Sequence, residues 1–137
     1  MPNRERVLVS ACLAGLCSRY DNQVITSATC LERIRSTTWI PACPEQLGGL
    51  PTPREPAEIS GGTGADVLQG SARVICRDGS DVTELFVKGA YQVLEIAQRQ
   101  KISKMLLKAR SPSCGVSKQG VTAALLMAHG IELEEFD

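Results

Sequence analysis

The sequence predicts a single α/β domain with a mostly parallel, Rossmann-like sheet flanked by helices. Short apolar runs alternate with stretches of helical period along the chain, the pattern of strands separated by helices. No repeat or low-complexity tract divides the 137 residues, and 43% hydrophobic content suffices for one core. Parallel strands joined by right-handed crossovers place ligands outside their carboxyl ends. We therefore predict one domain over residues 1–137, with its site at that edge.

The first half of the chain predicts a strand, a helix and a second strand. Val7–Ala11 is a short apolar run, Ser27–Arg35 has the helical period, and Trp39–Ala42 is a second apolar run. The following stretch, GGLPTPREPAEISGGTG, has three prolines and five glycines in seventeen residues. It predicts an irregular surface loop, and loops of this length are usually functional.

The second half continues the alternation. Arg73–Arg77 predicts a short strand closed by Asp78-Gly79, and Asp81 and Glu84 have the spacing of a capping box at a helix start. One face of that helix is apolar: Val82, Leu85, Phe86, Val93, Leu94 and Ala97. The last elements are a strand, a helix and a short strand: Lys104–Lys108, Val121–Ala128 and Ile131–Leu133.

Charge and the start of the chain bear on location and partners. Fifteen basic and fifteen acidic residues give a net charge of zero, so no long-range field gathers duplex nucleic acid, whereas a small charged ligand remains compatible. The apolar run in MPNRERVLVSA is too short for a signal peptide core or a membrane span. We expect a cytoplasmic protein that binds a small molecule, with no membrane or long nucleic acid as partner; the oligomeric state is not indicated.

In the cytoplasm, cysteines are expected as reduced thiols rather than disulfides. The chain has six: Cys12, Cys17, Cys30, Cys43, Cys76 and Cys114. No two form a Cys-x-x-Cys pair, and the one histidine, His129, precedes Gly130 at the end of an apolar helical run. The usual signature of a structural zinc site is therefore missing.

Three of the cysteines follow predicted strands. Cys12 and Cys43 directly follow the first two strands, and Cys114 follows the Lys104–Lys108 strand within one turn. Such residues emerge at the same edge of a parallel sheet. Structural zinc takes four ligands, whereas an iron–sulfur cluster on three cysteines leaves one iron open. Free cysteines are also common small core residues, and on spacing alone both interpretations stay open.

The other cysteines have simpler interpretations. Cys30 lies in a helical pattern and Cys76 in a strand, so both are expected to serve packing. Cys17 lies in CLAGLCSR, which looks like the Cys-x5-Arg loop of low-molecular-weight phosphatases. Six residues separate Cys12 from Arg19, however, so the arginine misses the geometry that lowers a thiol pKa in that loop.

Five stretches of the chain together resemble the thiouracil desulfidase family, in the right order from Val7 to the C-terminus. They are VSACLAG…SRYD, ACPEQLGGLPTPREPAEI, DGSDVTELFVKGA, LLKARSPSCG and GVTAALLMAHGIEL. The resemblance implies a small α/β protein with an oxygen-sensitive four-iron four-sulfur (4Fe-4S) cluster on three cysteines. It implies conversion of C=S to C=O in thiolated pyrimidines, with release of sulfide. The family's three cysteines fall on Cys12, Cys43 and Cys114.

The chain departs from the family pattern in two places. Members often have a cysteine immediately before Arg-Tyr-Asp, but Ser18 stands there and Cys17 lies one residue earlier, which counts against Cys17 as a ligand. Members also commonly carry a longer insertion with a Tyr-Asp-Gly element after the Ser-Pro-Ser-Cys-Gly motif, where only Val116–Gln119 intervene here. That difference bears on a pocket lid and on substrate choice.

Attack of water on the ring carbon needs an acid–base group. Glu45, two residues after Cys43, is the candidate, with a solvated loop acid as the alternative. The resemblance also implies Ser111, the first serine of Ser-Pro-Ser-Cys-Gly, as a hydroxyl that relays a proton or holds the pyrimidine edge. The alternative for Ser111 is a turn-forming serine before proline.

Four charged residues are secondary candidates. Arg19, Arg54 and Lys108 are each expected either to contact a nucleotide phosphate or to pair with surface acids, and Asp21 to order the loop of Arg19.

Two functions of other classes stay open. A zinc-binding structural or interaction module would use the same cysteines with Cys17 or Glu45 as a fourth ligand. A phosphatase or transferase would use Cys12 alone as its nucleophile and need no metal. Brown colour with about four iron per chain fits only the cluster hypothesis.

Overall fold

The structure, a computed structural model, describes residues 4–137. Its strands are β1 (Arg6–Ser10), β2 (Thr38–Ala42), β3 (Ala57–Ser60), β4 (Arg73–Cys76), β5 (Lys104–Lys108) and β6 (Glu132–Phe136). Its helices are α1 (Ala28–Ile34), α2 (Pro44–Leu47), α3 (Gly64–Gln69), α4 (Thr83–Arg99) and α5 (Val121–Ala128), and a 3-10 turn over Ala11–Leu13 follows β1. Within the described part of the chain, no helix has the length and apolar character needed to cross a membrane.

A four-stranded parallel sheet in the order β2-β1-β5-β6 forms the centre of the molecule. β1 pairs in parallel with both β2 and β5, and β5 with β6. The two central strands are near-continuous apolar runs with 0% exposure over Val7–Val9 and Met105–Leu107, as expected when helices cover both faces. The predicted α/β fold with a mostly parallel sheet is confirmed.

Side chains of β1 and β5 alternate between two hydrophobic cores. Leu8 and Leu107 pack in the larger core, which includes Phe86 of α4 and Leu126 of α5. The opposite face holds a smaller core built from Val7, Val9, Leu13, Cys30, Ile34 and Leu106. Ser27 caps α1 there, its hydroxyl accepting from Cys30 N at 3.1 Å, so that Cys30 lies in this core as expected for a packing residue.

The predicted irregular loop is wrong in its second half, because β3 lies within it at Ala57–Ser60. β3 and β4 form a separate antiparallel ribbon with Ala57 opposite Cys76, so β4 is no part of the parallel sheet. Only alternate residues of β3 are partly buried, and its neighbouring prolines and glycines conceal it in the sequence.

The predicted capping box at Asp81 and Glu84 is also wrong. Helix α4 begins at Thr83, and Asp81 Oδ1 accepts from Thr83 N at 2.9 Å without a return bond from Glu84. The capping box instead starts α3, where Thr63 and Asp66 bond each other's backbone N–H. The last strand runs over Glu132–Phe136, longer than the predicted Ile131–Leu133.

Candidate functional site

A cavity of about 440 Å³ lies at the carboxyl edge of the parallel sheet. Its walls come from the segments that follow β1, β2 and β5, together with the loops around Arg19 and Arg54 and the side chain of Arg77. This is the edge at which parallel α/β sheets bind ligands.

The structure brings Cys12, Cys43 and Cys114 to this cavity. Cys12 lies in the 3-10 turn after β1, Cys43 caps the N-terminus of α2 directly after β2, and Cys114 lies in the loop after β5. Cys17, Cys30 and Cys76 are not among the lining residues, and all six cysteines are free thiols. We call the first three the cavity cysteines and the second three the outlying cysteines.

A tightly closed loop positions Cys114. Ser111 Oγ accepts from the backbone N–H groups of Ser113 and Cys114, both at 3.1 Å. Gly115 N donates to Ser111 O at 2.9 Å, and a Cβ on Gly115 would lie 2.5 Å from the carbonyl oxygen of Lys118. Only glycine fits this close backbone approach, so the motif fixes the cysteine by local geometry.

Glu45, in the first turn of α2, has both carboxylate oxygens bonded to protein groups. Oε1 accepts from Arg54 Nε at 2.9 Å, and Oε2 accepts from Ser113 Oγ at 3.2 Å. Its side chain is only 15% exposed and that of Arg54 only 6%. Glu45 is therefore a partly buried, ion-paired carboxylate of the cavity wall rather than a solvated loop acid.

Arg54 has further bonds within the same wall. Nη1 donates to Thr52 Oγ1 at 2.9 Å and to Pro51 O at 3.2 Å. Nη2 donates to Ser18 O at 2.9 Å and approaches Cys43 Sγ at 3.9 Å. With the bond to Glu45, these contacts use every N–H of the guanidinium. Of the two expectations for Arg54, pairing with an acid is the one that these contacts favour, because each N–H already has an acceptor within the protein.

Burial raises the pKa of all three cavity cysteines. The charge of Cys43 raises the pKa of Cys12 further, and the charges of Cys43 and Cys12 do the same for Cys114. Lys108 and Arg19 act in the opposite direction on Cys12. A bound cationic centre would act against these shifts and favour the thiolate forms that ligate metal.

The rim of the cavity is rich in basic side chains. Arg19 pairs with Asp21 at 3.2 Å, as expected for an ordered loop, and Arg110 pairs with Asp137 at 3.2 Å. Lys108 Nζ donates to the carbonyl oxygen of Ala109 at 3.1 Å. Among residues 4–137, neither Lys108 nor Arg77 has a carboxylate partner, so both present positive charge at the rim.

The contacts of the suggested fourth ligands do not favour zinc. Cys17 is exposed, and its thiol donates to Asn22 Oδ1 at 3.2 Å, while Glu45 is held by Arg54 and Ser113. Across residues 4–137, no three His, Cys, Asp or Glu side chains are grouped to hold a single metal ion. A Cys12 nucleophile is not favoured either, because its pKa is raised, whereas nucleophilic thiols have lowered values.

Comparisons with known proteins agree with this architecture. A family model described as 2-thiouracil desulfurase matches residues 7–136. The chain belongs to this enzyme family. Uncharacterized protein YbbK of Bacillus subtilis (strain 168) is 43% identical over 137 residues, covering 90% of the chain and 91% of that relative. A solved structure, the 4Fe-4S-dependent thiouracil desulfidase TudS, matches with a TM-score of 0.79 and 37% identity, covering 96% of this chain and 91% of that one.

Membership confirms the resemblance seen in the sequence motifs. The structure adds two residues that the motifs did not single out. Ser113 is 1% exposed and its hydroxyl donates to Glu45, and Arg77 lines the cavity. The position of Ser113 directly before Cys114 gives no sequence signal of its hydrogen bond to Glu45. The shortened segment Val116–Gln119 does not line the cavity; Ser117 and Lys118 line a neighbouring surface groove instead.

Proposed function

We propose that the protein removes sulfur from thiolated pyrimidines at a 4Fe-4S cluster held by Cys12, Cys43 and Cys114. The observation that carries the proposal is that these three cysteines, out of six, line one cavity at the carboxyl edge of the sheet. The overall change is C=S plus water to C=O plus hydrogen sulfide, which needs no external oxidant or reductant.

The donor set fits such a cluster. Three soft thiolates without histidine suit iron–sulfur ligation, and the likeness to a 4Fe-4S-dependent desulfidase supports the same cofactor. When bound, a cluster on three cysteines supplies an iron with an open position, a Lewis acid toward the soft thiocarbonyl sulfur. Cys114 is buried in the cavity wall, whereas Cys12 and Cys43 are partly exposed to the cavity.

Glu45 is the group that we assign to proton transfer. Each of its oxygens accepts one protein hydrogen bond and keeps a lone pair for water at the cavity wall. The carboxylate takes a proton from water as the water oxygen bonds to the ring carbon, and the C–S bond then breaks. The carboxylate returns this proton to the departing sulfur, and the hydroxyl proton left on the ring carbon follows as the C=O forms, so that both protons of the water leave in hydrogen sulfide.

Ser111 is assigned to hold the pyrimidine edge. Its oxygen accepts two backbone N–H groups, but among residues 4–137 its own proton has no acceptor. The hydroxyl lines the cavity and is free to donate to a ring nitrogen or an exocyclic oxygen. Its role as a turn former and its role as a donor are therefore compatible.

The substrate range that we propose covers the free base, the nucleoside and the nucleotide: thiouracil, thiouridine and thio-UMP types. Lys108 and Arg77 place unpaired positive charge at the rim, where the 5′-phosphate of a nucleotide would extend. We further propose that residues 1–137 form one desulfidase domain. A cytoplasmic location suits the six free thiols.

The proposal is tested with anaerobically reconstituted protein and each of the three substrate forms. We expect sulfide release in equal amount to the loss of the thiocarbonyl absorbance, with pyrimidine C=O as the product. A colourless, zinc-containing protein without desulfidation would support the structural module instead. Phosphatase or transferase activity of the metal-free protein would support the Cys12 nucleophile.

A further inference from the structure

The side chain of Arg54 lies between the proposed acid–base group and one of the proposed cluster ligands. Nε donates to Glu45 Oε1 at 2.9 Å, and Nη2 is 3.9 Å from Cys43 Sγ. The remaining N–H groups reach Pro51 O, Thr52 Oγ1 and Ser18 O at 2.9–3.2 Å. A guanidinium has five N–H donors in a fixed plane, and here each one has an acceptor.

Such an arrangement allows little movement. The side chain is 6% exposed, and its contacts join its own loop to the Ser18 loop and to the start of α2. Lysine cannot reproduce this geometry, because an ammonium is a single point charge with three rotating donors. Arg54 therefore fixes the distance between the Glu45 carboxylate and the Cys43 sulfur in a way that only arginine can.

The second carboxylate oxygen of Glu45 is fixed by a residue that is distant in the sequence, Ser113. Ser113 Oγ donates to Oε2 at 3.2 Å, and Ser113 is 1% exposed directly beside Cys114. Ser113 is itself held by its backbone N–H, which donates to Ser111 Oγ at 3.1 Å. The two oxygens of Glu45 are thus each tied to a residue that adjoins or contacts a cavity cysteine.

We infer that Arg54 and Ser113 are positioning residues that orient the Glu45 carboxylate relative to the cavity cysteines, and that Arg54 also stabilises Cys43 as a ligand by its N–H contact to the sulfur. The inference rests on the proposed function, because it assigns a task to Glu45 and Cys43. It places the acid–base group in one orientation before substrate arrives, so that no reorganisation is needed during the reaction.

The two residues differ in a way that an experiment can use. Arg54 contacts both the carboxylate and a sulfur, whereas Ser113 contacts only the carboxylate through its side chain. Arg54→Lys should lower kcat per bound cluster by about 10- to 100-fold and accelerate iron loss to a chelator by about tenfold, the usual range for residues that support metal ligands. Ser113→Ala should lower kcat by about tenfold and leave the rate of iron loss unchanged.

Combination with Glu45→Gln tests whether both residues act through that carboxylate. If they do, Arg54→Lys and Ser113→Ala should each cost less than about threefold in kcat once Glu45 is glutamine, because residues that act as a unit are not additive. KM should change less than kcat in the single variants, since neither residue has a free donor for the substrate.

The matched control is Arg73→Lys. Arg73 Nε also donates to a carboxylate at 2.9 Å, that of Asp81, but it lies on the exposed surface of β4 and does not line the cavity. Its replacement should leave kcat per cluster and iron loss at parent values.

The inference is overturned if Arg54→Lys keeps the parent kcat per cluster and the parent rate of iron loss, even if its melting temperature falls. It is also overturned if the effects of Arg54→Lys and Ser113→Ala on kcat per cluster persist in full in the Glu45→Gln background. If Arg54→Lys does not fold, Ser113→Ala alone tests the inference. An unchanged kcat per cluster in Ser113→Ala then overturns it. A parent protein that binds no iron and releases no sulfide would instead overturn the proposed function itself.

Discussion

The cavity cysteines and the outlying cysteines are the same residue type in different environments. Each cavity cysteine directly follows a strand of the parallel sheet or lies in the loop after one, and all three open to one cavity. Of the outlying cysteines, Cys30 lies inside α1, Cys76 ends a strand of the antiparallel ribbon, and Cys17 is exposed in a loop. Position relative to the carboxyl edge of the sheet therefore separates the groups, without any Cys-x-x-Cys pair to mark it.

Burial by itself does not separate them. Burial, with a further contribution from Cys12, raises the pKa of Cys30 to about 11, and burial also raises the pKa of every cavity cysteine. Cys30 is 0% exposed in the smaller core, without access to the cavity. The comparison shows that a perturbed thiol indicates a site only when it also faces a cavity shared with similar groups.

The largest difference is expected when one cysteine from each group is replaced by serine. Cys114→Ser should abolish both iron binding and turnover, because a hard hydroxyl does not replace a soft thiolate and only two anchors remain. Cys76→Ser, at a half-buried outlying position, is the control and should keep iron and turnover. Iron per chain after anaerobic reconstitution measures both, and equal iron in the two variants would remove the distinction.

Replacement of Glu45 separates catalysis from ligation. Glu45→Gln should keep the iron and the colour and lower sulfide release by about 10²- to 10⁴-fold, because glutamine cannot accept the proton. Steady-state rates normalised to bound iron measure the effect. Full turnover in this variant would exclude Glu45 from the mechanism.

Alkylation of the metal-free protein compares the reactivity of the cavity cysteines with that of the outlying cysteine Cys17. The raised pKa values leave Cys12 and Cys43 mostly protonated at pH 7, and the thiolate fraction rises about tenfold per pH unit below the pKa. Iodoacetamide should therefore modify the exposed Cys17 first, and modification of the two cavity thiols should accelerate as the pH rises through 9. Mass spectrometry of timed samples follows each site. Fastest modification of Cys12 at pH 7 would instead support its use as a nucleophile.

Cys30 tests the packing interpretation. Cys30→Ser introduces a hydroxyl into an apolar core and should lower the free energy of unfolding by about 1–3 kcal/mol, the cost of a buried polar group without a good partner. Iron per folded chain should not change. Urea denaturation of the metal-free proteins gives the stability difference, and a loss of iron from fully folded Cys30→Ser would contradict the interpretation.

Cys17 should show the smallest effect. Cys17→Ser replaces an exposed thiol and should change stability by less than about 0.5 kcal/mol, with iron and turnover at parent values. If this variant loses iron as completely as Cys114→Ser, the site has four protein ligands. No iron would then be open to the substrate, and the proposed mechanism would fail.

Much of the fold and the position of the site could be predicted from the sequence. The apolar runs around Leu8 and Leu106 are long enough to identify buried parallel strands, and the cysteines that follow strands then fall at one edge. β3 was missed because it is short and only half-buried, and its pairing with β4 is a tertiary contact that no local pattern records.

The hydrogen bonds within the cavity wall could not be predicted from the sequence. Ser113 and Glu45 are 68 residues apart in sequence, and Arg54 and Ser18 are 36 apart, so their bonds depend on how the folded loops meet. From residue type alone, Arg54 suits a phosphate and an acid equally, and only the folded contacts of its five N–H donors favour the acid, Glu45.

The central claim is that the cavity cysteines hold a 4Fe-4S cluster, and the metal content of the parent protein tests it most directly. Protein purified and reconstituted without air should contain about four iron and about four acid-labile sulfides per chain, with a brown colour. The same preparation should release sulfide from a thiolated pyrimidine. A colourless protein with one zinc per chain, or full desulfidation by protein that contains no iron, would contradict the account.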